Sequence, residues 1–97
     1  MRVYAAADRE VLATLLSGEA VSLAGVIPDS DDELSEFEAM SEAAASGRVV
    51  VAADVDSADQ PIRLDQVASF HVDVDGSGDL AWFATLELDQ VLALLEG

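Results

Sequence analysis

The chain has no cysteine and no lysine, two prolines, and only five aromatic side chains: three Phe, one Trp and one Tyr. Without cysteine there is no disulfide, no thiolate nucleophile and no Cys-ligated metal. Without lysine there is no Walker-type phosphate loop and no Schiff-base chemistry, and no Gly-x-Gly-x-x-Gly follows a strand. Basic charge is confined to Arg2, Arg9, Arg48 and Arg63, against 20 acidic residues, for a formal net charge of -16. A surface of that sign repels phosphates, so direct nucleic-acid binding and membrane binding are not expected. No apolar run approaches the roughly 18 residues of a spanning helix. Met1-Arg2 leads into strand-like sequence rather than the apolar core of a secretion signal, and the expected location is cytoplasmic.

What the chain does have is apolar content, 52% of its residues, enough to offset chain entropy in one domain spanning residues 1–97. The organising stretch is Arg48 to Val55, Arg-Val-Val-Val-Ala-Ala-Asp-Val. Its unbroken run of mostly β-branched residues reads as a strand buried on both faces. Before it, Arg2 to Ala6 is a short strand. Asp8 then caps a first helix carrying Val11, Leu12, Leu15 and Leu16, which Gly18 ends. Ala20 to Ile27, stopped by Pro28, reads as a second strand. Ser30-Asp31-Asp32-Glu33 fits a capping box opening a second helix, with Leu34, Phe37, Met40 and Ala44 as its apolar stripe and Gly47 as its end.

After the organising strand, Asp56 to Ile62 is a turn-rich loop, and Leu64 to Val67 suits one helical turn. Ser69 to Asp75 alternates, with Phe70, Val72 and Val74 on one face and Ser69, His71 and Asp73 on the other. Asp75 to Asp79 turns the chain into a fifth strand, Leu80 to Thr85, and Leu88, Val91, Leu92 and Leu95 mark a last helix. Leu-Asp-Gln-Val occurs at Leu64 and again at Leu88, but the following residues differ and no repeat is implied. The expected fold is α/β: a mixed sheet of about five strands in the order βαβαβ, then hairpin, then helix, covered by three helices. It would be parallel in its first part and antiparallel in its last.

Met1 to Tyr4, Arg48 to Val55, Phe70 to Asp73 and Trp82 to Leu88 together resemble a family of uncharacterised actinobacterial proteins, a domain of unknown function. Its members open Met-Arg-Val-Tyr and carry an Arg-Val-Val-Val-Ala-Ala-Asp-Val strand. This chain is shorter than those members between its third and fourth strands and across the hairpin. The resemblance implies an actinobacterial cytosolic origin and carries over no function and no site residue.

Three constellations bear on function. Asp73, Asp75, Ser77 and Asp79, with Gly78 and Leu80, match the first two-thirds of an EF-hand loop, whose closely spaced oxygens suit Ca²⁺. Position 12 of that pattern is Ala84 rather than a bidentate Glu, and a strand precedes it, so at most weak calcium binding at the hairpin is implied and no other cofactor. The alternative is a plain Asp- and Gly-rich turn. His71, the sole histidine, shares a strand face with Asp73, the minimum of a general base, but no nucleophile motif accompanies it. Asp29, Asp31, Asp32, Glu33, Glu36, Glu38 and Glu42 form an acidic segment, either a solvated helix face or a docking surface for a basic partner. The four arginines are expected in local ion pairs, and the scattered aromatics in the core.

The leading expectation is a non-enzymatic protein-interaction or regulatory module, with Asp31, Asp32, Glu33, Glu36 and His71 on its interaction surface. The alternatives are a small enzyme or ligand-binding protein using His71 and Asp73, and weak calcium binding at the Asp73 to Asp79 hairpin. The partner would be a protein of basic character. An exposed edge of the hairpin also allows a homodimer.

Overall fold

The structure is a computed structural model that describes residues 1–97 apart from positions 24, 31, 46, 58, 59, 75, 78 and 97. Strands β1 (Arg2–Ala7), β2 (Val49–Asp54), β3 (Val67–Asp73) and β4 (Leu80–Ala84) form one sheet in sequence order, and every neighbouring pair is antiparallel. Helices α1 (Arg9–Leu16) and α2 (Glu33–Ala44) lie between β1 and β2, and α3 (Leu88–Glu96) follows β4. Single helical turns at Leu64–Gln66 and Thr85–Glu87 lead into β3 and α3.

Strand β2 takes the centre that its composition requires. Val49, Val50, Val51, Ala52 and Ala53 are all buried, and β1 and β3 flank them. On one face, Val3, Val49, Val51, Phe70 and Val72 pack with Leu12 and Leu15 of α1 and Leu88 and Val91 of α3. On the other, Tyr4, Val50 and Ala52 pack with Ala39 and Ala43 of α2. A bulge keeps the first face intact. Ser69 stands opposite Ala52 and Val67 opposite Ala53, so Ala68 is the extra residue and Val67 reaches the same core as Phe70.

The expectation of five strands in a partly parallel sheet is corrected to four antiparallel strands. Among its described residues, Ala20 to Ile27 forms no strand. It makes two isolated bridges, Val21 with Ile62, which is in no strand, and Val26 with Tyr4 of β1. Tied to Ile62 at one end and to the edge of β1 at the other, its described residues build no continuous ladder. Gly25 permits this approach, because a side chain there would meet Val3 Cβ at 3.1 Å. With no strand there, the two βα units never form, and β1 pairs directly with β2.

Two local expectations also shift. The cap of α2 is Asp32 rather than Ser30: its Oδ1 accepts the Ser35 amide at 2.7 Å, and the Ser30 hydroxyl donates to its Oδ2. A carboxylate forms a charge-assisted bond at the positive end of the helix, which a hydroxyl does not. The stripe of α2 is buried only in part: Met40 and Ala44 pack on the second face, while Leu34 and Phe37 are exposed. Small Ala39 and Ala43 make the close contact. Val74, placed with Phe70 and Val72 by alternation, lies just past the end of β3 and is exposed. Asp8 does cap α1, accepting the Val11 amide at 2.9 Å, and Gly18 follows it at φ +92°.

Phe70 is fully buried and Phe37 is exposed. Phe70→Ala is therefore expected to lower the unfolding free energy by about 3–5 kcal/mol, whereas Phe37→Ala should stay within about 0.5 kcal/mol. Urea titrations of both variants check this, and equal losses would refute the assignment of the two side chains to core and surface.

Candidate functional site

The two faces of the sheet are covered unequally. α1 and α3 share one face, whereas α2 alone lies on the other, over β1 and β2. Beside α2 a cleft of about 320 Å³ remains, with Ala52, Ser69 and His71 among its lining on the strands. Phe37 and Met40 line it from α2, Trp82 from β4, and Tyr4 and Arg2 from β1. Strand alternation explains the set: Tyr4 stands opposite Ala52, Ala52 opposite Ser69, and His71 opposite Trp82, which puts all of them on one face.

Several polar groups in the cleft are paired with one another or with neighbours. Tyr4 donates its hydroxyl to Glu36 Oε1 at 3.2 Å. Burial, and then the nearby Glu36 carboxylate, raise the phenol pKa above its ordinary value. Arg2 grips Asp54 with two bonds of 3.0 Å, Nε to Oδ1 and Nη2 to Oδ2, which holds the Asp54 carboxyl below the usual range. His71 Nε2 lies 2.9 Å from Ser69 Oγ. Burial, with the Arg2 guanidinium as a second cause, holds the imidazole below its ordinary pKa. His71 is therefore held towards its neutral form.

His71 and Asp73 share a face of β3, but they are not joined. The imidazole bonds Ser69, while Asp73 Oδ1 accepts the Gly76 amide at 2.8 Å in the hairpin turn. Among the described residues no hydrogen bond reaches the other nitrogen of His71, so the Ser69–His71 contact lacks the third group that orients a catalytic imidazole. At the hairpin, Asp79 donates its amide to Ser77 Oγ at 3.2 Å, and Gly76 has φ +78°. Asp75, the remaining carboxylate of the calcium pattern, lies outside the described residues. Among the described residues there is no group of three or more His, Asp or Glu placed to hold a metal ion.

Of the acidic set, Glu33 and Glu36 line the cleft, while Asp32 is occupied in capping α2. Asp31 lies outside the described residues. Arg2, Tyr4, Phe37 and Trp82 are members that sequence reasoning missed. The aromatics were expected in the core, yet Phe37 is 60% and Trp82 62% exposed. Parity along the Leu80–Ala84 strand was the available signal, since Trp82 opposes His71 and not an apolar residue of β3. The arginine expectation holds for Arg2. Arg48 instead donates to backbone, from Nε to the Asp73 carbonyl at 3.1 Å.

Elsewhere, a hollow of about 640 Å³ is lined by Leu16, Leu64, Leu86 and Leu88 with Arg63, Asp65 and Asp89. It is larger but mostly apolar, without the converging paired polar groups of the α2 cleft. Comparison with protein-family models, curated proteins and solved structures finds no match to this chain. The candidate site therefore rests on its own geometry. Among the described residues no helix is long and apolar enough to cross a membrane.

Two outcomes are expected. Because His71 has a depressed folded pKa, the unfolded chain binds the extra proton first; stability should fall as pH drops below about 6.5. His71→Gln should remove that slope, while the carboxylate transitions at lower pH persist. Melting curves across pH check it, and a slope unchanged in the variant would refute the burial of His71. Tyr4, the sole tyrosine, should form phenolate only above its usual pH near 10. Glu36→Gln should bring an ultraviolet titration part of the way back.

Proposed function

We propose that the chain is a non-enzymatic protein-interaction module, and that the cleft between α2 and the β3–β4 half of the sheet is its docking surface for a basic segment of a partner protein. One observation carries the reading: Phe37 and Trp82, both exposed, line one cleft together with the carboxylates of Glu33 and Glu36. Aromatic side chains held on regular elements lose little freedom when covered, and they are the usual anchors of an interface. Leu34, also exposed on α2, adds apolar area beside them.

The charge selects the partner. Carboxylates around an apolar cleft favour Arg or Lys side chains whose stems cover the aromatics and whose heads meet the acids. The net charge of -16 accelerates encounter with a basic partner and disfavours nucleic acid. A catalytic use of His71 has less support, because its one hydrogen bond is to Ser69 and Asp73 is engaged in the turn.

Trp82 is the only tryptophan, so its fluorescence reports occupancy of the cleft directly. An extended peptide of alternating Arg and Val should change that signal on binding. Its counterpart with Glu for Arg should not. Raising the salt from about 0.05 M to about 0.3 M, which shortens the Debye length, should weaken the Arg peptide about tenfold. Phe37→Ala should weaken it by a similar factor, and Glu33→Gln should flatten the salt dependence. Equal binding of the Arg and Glu peptides would overturn the proposal.

A further inference from the structure

We infer that β4 receives the partner as an added strand: an extended basic segment pairs along the outer edge of Leu80–Ala84 and becomes the fifth strand of the sheet. The inference rests on the docking surface proposed above and specifies how that surface is used.

The two edges of the sheet differ in what their backbone groups do. In an antiparallel ladder, successive residues turn their N–H and C=O alternately towards one neighbour and then the other. At the β1 edge, Tyr4 faces outward, and both of its groups are taken by Val26, at 3.0 Å and 2.7 Å. The centre of that edge is occupied. For β4, two bonds fix the parity. Asp73 donates its amide to the Arg48 carbonyl at 3.0 Å, on the β2 side, so its pairing with Leu80 is not hydrogen-bonded and Leu80 faces outward. Ala84, at the same parity, sends its amide outward to Glu87 Oε1 at 2.8 Å.

Trp82 lies between them and shares their orientation. Glu87 thus closes one end of the edge, and the peptide groups of Leu80 and Trp82 form the open stretch, with no partner among the described residues. The side chain of Trp82 stands on the α2 face beside this stretch, lining the cleft. A strand laid along the edge would hydrogen-bond these groups and place every second side chain on that same face. Backbone bonds supply affinity in this mode and alternate side chains supply specificity.

Charge decides which strand. Leu80 to Ala84 carries no charged residue and no proline, the usual guards of an exposed edge. Every formally charged residue after Arg63 is acidic: Asp65, Asp73, Asp75, Asp79, Glu87, Asp89 and Glu96. Asp79 and Glu87 flank the edge itself. A second copy would bring another chain of charge -16 against these residues, whereas an Arg- or Lys-bearing strand is drawn to them. The acidic flanks reject self-pairing and admit a basic segment.

The test compares the alternating Arg–Val peptide with the same peptide N-methylated on alternate residues, in two versions that block one hydrogen-bonding edge or the other. Strand addition predicts that at least one methylated version loses tenfold or more in affinity at unchanged charge and side chains. Leu80→Pro removes an outward donor without touching the β3 ladder and should lose a similar factor, while Leu80→Ala should not. Thermal midpoints verify the fold of both variants, and the methylated peptides test the inference independently of them. If all three peptides bind equally and salt weakens them, strand addition is overturned and the acidic docking surface stands. If none binds up to millimolar concentration, both are overturned. A doubling of mass in sedimentation without peptide, lost in Leu80→Pro, would assign the edge to a second copy and overturn the basic-segment occupant.

Discussion

Burial of β2 on both faces is the constraint from which the rest of the structure follows. Five consecutive buried residues need a strand on each side to satisfy their backbone and an apolar layer above and below. β1 and β3 meet the first need. The second is met unequally, by two helices on one face and one on the other. A helix is about 10 Å across, while four strands spaced at about 4.8 Å span more than that, so a single helix leaves part of its face uncovered. The uncovered part lies beside β3 and β4, and the cleft with His71, Phe37 and Trp82 is its consequence.

Charge is distributed unevenly along the chain. Two of the four arginines serve the strand ends: Arg2 on the Asp54 carboxylate and Arg48 on the carbonyls of Asp73 and Val74. The hairpin half of the chain has no cation after Arg63 to offset its acids. Under the proposed reading, the like charge of every copy opposes self-pairing of the uncharged edge strand, and the same field favours a basic segment.

Legibility of the candidate site in the sequence was uneven. His71, Glu33 and Glu36 were singled out from composition and alternation, and all three line the cleft. Phe37 and Trp82 were assigned to the core because single aromatics usually lie there. Their exposure depends on how far α2 extends over the sheet, a distance between elements that no local pattern carries. Asp32, read as part of a docking surface, also caps α2, a role the sequence had given to Ser30, because a carboxylate two residues after Ser30 makes the stronger bond to the first turn.

By itself the sequence determined the buried central strand, the hairpin of β3 and β4, the Asp8 cap and Gly18 end of α1, and the face on which Phe70 and Val72 lie. Each depends on period, capping chemistry or turn residues within about ten positions of chain. Tertiary structure alone decided that the described residues of Ala20 to Ile27 form no strand, that the sheet is antiparallel throughout, and that, among the described residues, the centre of one edge is occupied while Leu80 and Trp82 leave a stretch of the other open. Those outcomes depend on contacts between residues far apart in the chain: Gly25 against Val3, Val26 on Tyr4, Val21 on Ile62. A β-branched segment pairs as a strand only where a free edge lies within reach, and that is a property of the assembled fold.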